Sequence, residues 1–325
     1  MFHIGIDIGS VTVKTVIFDT NNNIVYKEYK RHFSDVKKAL SEVLVNIYNK
    51  LKNSKITIVI TGSGGIDISQ KLNIKFIQEV IASTHAIEYF YPETDVVIEL
   101  GGEDAKVTYL TGGIDQRMNG ICAGGTGAFI DQMASLLQTD TFGLNELAKD
   151  YNVIYPIASR CGVFAKTDIQ PLINDGAKRS DIAMSIFNAV VVQTVSVLSC
   201  GRKIEGKVAF LGGPLHFLPS LRDRFKSVLK LDDKDIIFPK DAQLYVAMGA
   251  SLLSKKEEAI KLDDLIKKIQ SLNIDDLNTT DKLDPLFKDE NDYNEFIKRH
   301  NKNTIKTCDI SKFNGNCFLG IDAGS

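Results

Sequence analysis

The chain has 325 residues, 44% of them hydrophobic and 25% charged, which is typical of a soluble globular protein of about two domains. Its 39 Lys and Arg residues nearly balance its 41 Asp and Glu residues, so charge gives no reason to expect nucleic acid or an anionic membrane as a partner. Met1 leads straight into an apolar run, and polar residues break the longest apolar stretches, so we expect neither a leader peptide nor a membrane span. Five sparse cysteines indicate free thiols in a reducing cytoplasm rather than a disulfide framework.

The first 254 residues alternate the patterns of strands and helices. Residues 3–18 predict two strands on either side of a Gly9–Ser10 turn, and residues 21–30 predict a third strand after an Asn-rich turn. A helix is predicted over 34–51, where apolar residues recur on one face. Further strands are predicted over 56–65, 95–102, 105–110 and 207–213, and further helices over 77–91, 128–137, 181–200 and 242–254. This alternation indicates an α/β domain with glycine turns at strand ends.

Residues beyond 254 have a different composition. Residues 255–316 are charged and polar with a narrow apolar stripe, which indicates a connector or an exposed subdomain rather than core. The segment FLGIDAGS at 318–325 matches HIGIDIGS at 3–10 at five of eight positions. We therefore expect a second copy of the domain to begin at about residue 317, the alternative being a chance match.

The turn after the first strand has the residues of an anion-binding site. Asp7 ends the strand, and the backbone N–H groups of the turn can point together at an anion, beside two hydroxyl groups and a lysine. A carboxylate next to bound phosphate suits Mg²⁺, usually through water. The predicted phosphate contacts in this turn are Gly9, Ser10, Val11, Thr12 and Lys14. The simpler alternative is a tight turn without a ligand.

Two later strands also run into glycines. The segment ELGGEDAK at 99–106 is a second acidic turn with a lysine, so two hairpins can hold a phosphate chain from opposite sides. The segment FLGGP at 210–214 is a third turn, where the backbone can approach a nucleoside closely. We predict nucleotide contacts at Gly101, Gly102, Asp104, Lys106, Gly212, Gly213 and Pro214. We predict catalytic roles for Asp7, Glu99 and Glu103, the first two of which also hold Mg²⁺ through water.

Taken in this order, the three turns resemble those of the actin, Hsp70 and hexokinase superfold. The resemblance spans residues 1 to about 254 and implies a two-lobed α/β ATPase fold that closes over ATP or ADP. It implies a first lobe of residues 1–90, completed by about 240–254, and a second lobe of residues 91–239. Because this superfold hosts kinases, filaments and chaperones, the fold alone does not determine the function.

Two cysteine segments make the resemblance more specific. The sequence resembles the BadF/BadG/BcrA/BcrD ATPase family, in particular its large tandem-domain branch, in four segments. Two contain the cysteines, MNGICAGGTGAFIDQMASLL and SRCGVFAKTDIQPLI, and the other two are QEVIASTHAIEYFYP and KVAFLGGPLHFLPSLRDRF. This family contains activators of 2-hydroxyacyl-CoA dehydratases and ATPase subunits of benzoyl-CoA reductases. The resemblance implies that Cys122 and Cys161 supply half of the ligands of a [4Fe–4S] cluster. It also implies nucleotide contacts at Gly124, Gly125, Thr126 and Gly127.

The resemblance also implies a reaction and its partners. ATP hydrolysis drives one-electron transfer to a dehydratase or reductase that has its own iron–sulfur cluster, and a donor such as ferredoxin or flavodoxin supplies the electron. Because a [4Fe–4S] cluster needs about four thiolates, the remaining ligands must come from a homodimer mate or from a second repeat in a pseudo-dimer. Cys122 also lies just before a predicted helix, whose N-terminal dipole favours a thiolate.

The second turn departs from the family pattern. Glu99 stands where the family has Asp, and we expect its longer carboxylate still to hold Mg²⁺ or to orient water. Glu103 stands where the family has Gln, and because it adds negative charge near phosphate we expect hydrolysis to be slow or differently regulated. Two other functions stay open: a small-molecule kinase of the same superfold, which leaves the cysteines idle, and a non-catalytic nucleotide-binding module. An iron-free protein favours the kinase, and nucleotide binding without turnover favours the module.

Overall fold

The computed structural model describes residues 1–119, 124–159, 161–271, 283–305 and 307–322. The chain divides into two compact units, Met1–Ile274 and Asp275–Ser325. The strands of the first unit are β1 (Phe2–Ile8), β2 (Thr12–Phe18), β3 (Ile24–Arg31), β4 (Lys55–Thr61), β5 (Lys75–Phe76), β6 (Val96–Leu100), β7 (Ala105–Tyr109), β8 (Asp115–Met118), β9 (Val208–Leu211), β10 (Ile236–Ile237) and β11 (Ile260–Lys261). Its helices are α1 (Val36–Leu51), α2 (Ile66–Leu72), α3 (Glu79–Phe90), α4 (Gly127–Leu136), α5 (Thr141–Leu147), α6 (Gly162–Asn174), α7 (Arg179–Val192), α8 (Gly213–Phe217), α9 (Pro219–Leu229), α10 (Tyr245–Leu253) and α11 (Leu262–Ser271).

The strands of this unit form two mixed sheets. The first sheet has the order β11-β4-β1-β2-β3, with β5 also paired to β4, and the second has the order β10-β9-β6-β7-β8. In each sheet an antiparallel hairpin, β1–β2 or β6–β7, lies beside a parallel strand, β4 or β9. Strands buried on both faces have continuous apolar runs, as these parallel strands do. The two sheets therefore share one hairpin-plus-parallel-strand topology.

Helices α3 and α10 join the two sheets. α10 lies directly on β1, because a Cβ atom at Gly5 would overlap the backbone of Ala247 and Ser251. α10 approaches α3 equally closely, because a Cβ atom at Gly249 would overlap the carbonyl oxygen of Ala82. One buried cluster contains residues of both sheets and of α10, including Val16, Phe18, Val97, Ala209, Leu211, Ala247 and Met248. The packing of α10 thus fixes how the sheets meet.

A larger core covers the second sheet. Strands β6, β7 and β9 pack there against α4, α7 and α9. α7 continues as a π-helical turn over Gln193–Leu198. The segment Arg179–Leu198 is long and apolar enough to cross a membrane, but 72% of its most apolar window is buried within the protein, as in a core helix.

Part of the charged region after residue 254 belongs to the first unit. β11 pairs antiparallel with β4, and α11 buries Leu262, Leu265 and Ile269. In the second unit the side chain of Asp289 caps helix α12 (Glu290–Asn301) by accepting a hydrogen bond of 2.9 Å from the N–H of Asp292. Residues 318–322 are exposed and form no strand, so the expected second copy of the domain stays a prediction.

We expect Gly249→Ala to lower the free energy of unfolding by about 1–3 kcal/mol, because the added methyl group forces α10 away from α3. The loss should appear even though alanine favours a helix by about 1 kcal/mol over glycine. Chemical denaturation measures the effect. The control is Gly9→Ala, whose new Cβ atom meets nothing nearer than the carbonyl oxygen of Thr12 at 3.6 Å. Equal stability of the two variants would contradict the close approach of α3 and α10.

Candidate functional site

The turn between β1 and β2 carries a buried ion pair. The N–H of Gly9 donates to the carbonyl oxygen of Thr12 at 2.9 Å, which closes the turn. Asp7 is 1% exposed, and its Oδ2 accepts from Nζ of Lys14 at 2.8 Å. Burial would lower the pKa of Lys14, but the Asp7 carboxylate outweighs burial and raises this pKa above its ordinary value. Oδ1 of Asp7 is buried and makes no hydrogen bond to the described residues, so it is available to a cation or a water molecule.

The turn between β6 and β7 carries a second, larger ion cluster. Nζ of Lys106 lies 2.6 Å from Oδ2 of Asp104 and 3.6 Å from Oε1 of Glu99, and it also pairs with Glu79. Oγ of Ser83 donates to Oε2 of Glu99 at 3.0 Å. Burial would lower the pKa of Lys106, but Glu99, Asp104 and Glu79 together raise it well above its ordinary value. Lys106 therefore stays charged and holds the carboxylates in place.

Glu79 is a site residue that the sequence pattern did not indicate. It occupies the first turn of α3, where a glutamate is ordinarily a partner of the helix dipole. In the fold its carboxylate reaches Lys106, 27 positions along the chain. Burial is the main cause of a raised pKa at Glu79, and the negative charge of Asp7 raises it further, while Lys106 opposes both. A carboxyl group of this kind can exchange a proton nearer to neutral pH than an ordinary one.

The first two turns face the same cavity of about 460 Å³. A Cβ atom at Gly102 would lie 2.5 Å from Cγ2 of Val11, so the turns approach each other directly. Glu103 is exposed at the rim, whereas Glu99 is 8% exposed. The predicted residues that line this cavity are Asp7, Gly9, Ser10, Val11, Thr12, Lys14, Glu99, Gly101, Gly102, Glu103, Asp104 and Lys106, and Glu79 joins them.

The third turn lies beside a smaller cavity of about 110 Å³. Gly212 has φ of +90° and lies so close to β6 that a Cβ atom would overlap the carbonyl oxygen of Leu100. The smaller cavity shares Val11, Thr12, Lys14, Gly101 and Gly102 with the larger one. Its remaining lining includes Gly127, Gly213 and Pro214 with the aromatic rings of Tyr29, Phe142 and Phe217. The two cavities therefore lie next to each other along the same turns.

The predicted glycine loop is attached to the second turn. The first N–H groups of α4, those of Gly127 and Ala128, donate to the carbonyl oxygens of Gly101 at 3.0 Å and Gly102 at 2.7 Å. Gly124, Gly125 and Thr126 are buried and line neither cavity. Any displacement of the Gly101–Gly102 turn therefore acts directly on the start of α4.

Asn119 is a second link to the same turn. Its N–H donates to the carbonyl oxygen of Ala105 at 3.0 Å, and its Oδ1 accepts from the N–H of Ala105 at 2.7 Å. The sequence does not indicate this contact, because Asn119 looks like an ordinary polar residue after a short strand and its partner is in the neighbouring strand. Asn119 therefore anchors the end of β8 to the beginning of β7.

Of the two predicted cluster cysteines, only Cys161 lies within the described residues. Cys122 lies outside the described residues. Cys161 is half-buried, forms no disulfide and is the residue that precedes the first turn of α6. A Cβ atom at Gly162 would lie 3.4 Å from Cδ2 of Phe129, so α6 begins against α4. Within the described ranges, no group of three or more Cys, His, Asp or Glu residues is arranged to hold a metal.

We expect the stability of the protein to depend on pH through Glu79. Because the pKa of Glu79 is raised in the folded chain, its contribution is complete below the ordinary carboxyl range and is lost as pH rises through the raised pKa. Glu79→Gln removes this titration, so urea unfolding from about pH 5 to about pH 8 should show a shallower fall in stability than in the parent. The control, Glu88→Gln, changes an exposed residue of the same helix and should keep the parental slope. Parental slopes in both variants would refute this role of the Glu79 carboxyl.

Comparison with known proteins assigns the chain to one family. The family model of the BadF/BadG/BcrA/BcrD ATPases matches residues 4–254. The 2-hydroxyisocaproyl-CoA dehydratase activator of Clostridioides difficile is 30% identical over 263 residues, which are 79% of this chain and 96% of that protein.

Two solved structures are similar to the chain with a TM-score of 0.68 each. Component A of (R)-2-hydroxyglutaryl-CoA dehydratase from Acidaminococcus fermentans is 27% identical, over 79% of this chain and 98% of that one. The activator of the 2-hydroxyisocaproyl-CoA dehydratase from Clostridium difficile, with bound ADPNP, is 28% identical, over 84% of this chain and 98% of that one. The prediction of an actin-, Hsp70- and hexokinase-like ATPase fold is thus confirmed, and the chain belongs to the BadF/BadG/BcrA/BcrD ATPase family.

Proposed function

We propose that the protein is a cytoplasmic ATPase that activates a 2-hydroxyacyl-CoA dehydratase or a related reductase by ATP-driven, low-potential one-electron transfer. Its relatives include proteins named as activators of 2-hydroxyisocaproyl-CoA and lactoyl-CoA dehydratases. The observation that carries the proposal is the attachment of α4 to the proposed nucleotide turn, through the Gly127 and Ala128 N–H groups, together with the proximity of Phe129 in α4 to Gly162, where an added Cβ atom would lie 3.4 Å from the Phe129 ring. One helix thus begins on the proposed phosphate-binding turn and lies beside the residue that follows Cys161, a proposed cluster ligand.

The larger cavity is the proposed site of the nucleotide phosphates. Backbone N–H groups of the two facing turns and the cations Lys14 and Lys106 suit a phosphate chain. The unpartnered buried Oδ1 of Asp7 fits a Mg²⁺ ion held through water, with Glu99 as the second carboxylate. Mg²⁺, when bound, neutralises negative charge on the phosphate oxygens.

Glu79 is the proposed proton acceptor for the water that attacks the terminal phosphate. Its raised pKa makes it a stronger base than an ordinary carboxylate, and its pairing with Lys106 fixes its direction. Asp7 and Glu99 act through the cation. Glu103 lies at the exposed rim, so it acts on the charge at the cavity entrance rather than on the reacting atoms.

Cys161 fits one ligand position of an iron–sulfur cluster. Its thiol is free, and Cys161 is the residue just before the first turn of α6. A [4Fe–4S] cluster, when bound, supplies a low-potential carrier of single electrons and needs about four thiolates. We propose that Cys122 and a second copy of this chain or of its domain supply the others, and that a reduced ferredoxin or flavodoxin supplies the electron.

We expect Asp7→Asn to lower Mg²⁺-dependent ATP hydrolysis about a hundredfold or more, because the cation loses its buried ligand. ADP binding measured in EDTA should persist, because the turns remain. Asp19→Asn, in the β2–β3 turn, is the control and should hydrolyse ATP at the parental rate. Hydrolysis at the parental rate in Asp7→Asn would refute the proposed cation site, and ADP binding without hydrolysis by the parent itself would favour a non-catalytic module.

We expect anaerobically purified parent protein to contain iron and to absorb as an iron–sulfur protein. Cys161→Ser should abolish both signals and electron delivery while sparing ADP binding, because Cys161 lies outside the three glycine turns. The control is Cys200→Ser. Because Cys200 is exposed at the end of the π-helical turn, this variant protein should keep its iron. A colourless, iron-free parent protein that phosphorylates a small molecule would favour a kinase instead.

A further inference from the structure

Strand β3 is an edge strand of the first sheet. One of its faces contacts helix α4, helix α8 and the turn before α10. Successive side chains of a strand point to opposite faces, so alternate residues share a face. Lys27, Tyr29 and Arg31 are such residues, and each has a partner across the gap between the sheets. We call these three residues the β3 strap.

The strap makes two ion pairs and one aromatic contact. Nζ of Lys27 lies 2.6 Å from Oδ2 of Asp241, which precedes α10. The ring of Tyr29 meets the ring of Phe217 in α8 edge to face, with centroids 5.5 Å apart. Arg31 lies 3.0 Å from Oδ2 of Asp131 in α4. The strap therefore fastens β3 to three separate segments, which are the turn before α10, helix α8 and helix α4.

The strap also covers the smaller cavity. In the β2–β3 register Tyr29 lies opposite Lys14 and Arg31 opposite Thr12, so the strap is one strand away from the phosphate-binding hairpin. Tyr29 and Arg31 line the smaller cavity, which shares the Gly101–Gly102 turn with the larger one. A nucleotide held by these turns is enclosed on this side by the strap.

The ion pair between Arg31 and Asp131 of α4 is further held by a residue of α5. The hydroxyl group of Thr141, at the start of α5, donates to Oδ1 of Asp131, so Asp131 is held by partners on both oxygens. A carboxylate oriented in this way presents a fixed target to Arg31 when the sheets come together. The Arg31–Asp131 ion pair thus has one defined geometry when the sheets are close together.

We propose that the β3 strap is a closing device that retains the bound nucleotide and must detach from Asp131 and Asp241 before the nucleotide leaves. This inference rests on the proposed nucleotide site and adds to it the step that limits nucleotide exchange. The expected effects are modest, because Arg31 is 50% and Asp131 37% exposed and solvent screens such pairs.

The first experiment measures release of a fluorescent ADP analogue by stopped flow at low ionic strength. Arg31→Glu and Asp131→Arg should each speed release about fivefold, and the double variant should return near the parental rate because the pair is restored with reversed charges. The control is Lys30→Glu, which breaks the Lys30–Glu42 pair on the opposite face of β3 and should leave release unchanged. Equal release rates in Arg31→Glu and Lys30→Glu would overturn the proposal, as would failure of the double variant to recover.

A second experiment needs no nucleotide. A zero-length carbodiimide reagent joins amines to carboxylates in direct contact, and mass spectrometry identifies the joined peptides. We expect a Lys27–Asp241 product in the parent protein, with the Lys30–Glu42 product as the internal control. Formation of the control product without the Lys27–Asp241 product would overturn the strap. A protein that forms both products but binds no nucleotide would instead overturn the proposed function and the retention role that rests on it.

Discussion

The site depends on a shortage of positive charge. Asp7, Glu79, Glu99 and Asp104 lie around one cavity and share Lys14 and Lys106. Burial is the main cause of the raised pKa of Glu79, and the negative charges of Asp7 and Asp104 raise it further, because buried like charges repel unless they are paired or one of them binds a proton. A divalent cation beside Oδ1 of Asp7 would relieve the same repulsion. The surplus of carboxylates thus supports two proposals: that the site holds Mg²⁺ and that Glu79 acts as a base.

The glycine turns were predictable because their function depends on local chemistry. A strand that ends in an acidic residue and glycines has a short-range signature, and the structure brings the first two turns to one cavity. Glu79 was not predictable, because its partners Asp7 and Lys106 come from other strands. The strap was hidden for the same reason: Lys27, Tyr29 and Arg31 look like the polar face of an edge strand, and only the meeting of the two sheets gives them partners.

The α/β class followed from hydrophobic periodicity and the specific fold from the resemblance of the three turns, but the details of packing followed from neither. The charged stretch after residue 254 reads as a solvated connector, yet Leu262, Leu265 and Ile269 recur at helical spacing and bury one face of α11. A narrow apolar stripe is enough for a helix that packs mainly against α1, with further contacts to β11 and α2. The close approach of α10 to α3 likewise depends on Gly249, and a lone glycine in an apolar helix gives no indication of which neighbour requires it.

Glu99 and Glu103 both depart from the family pattern of Asp and Gln, but the consequences differ because one side chain is buried and the other is exposed. Glu99 is buried and held by Ser83 and Lys106, so its longer side chain is fixed rather than free to move toward the phosphates. Glu103 is exposed, so water screens its charge and its repulsion of phosphate is weak. At the proposed cation site, a slow hydrolysis rate would therefore originate at Glu99, whose buried carboxylate would set the position of the cation. This differs from the expectation from sequence, which attributed slow hydrolysis to Glu103.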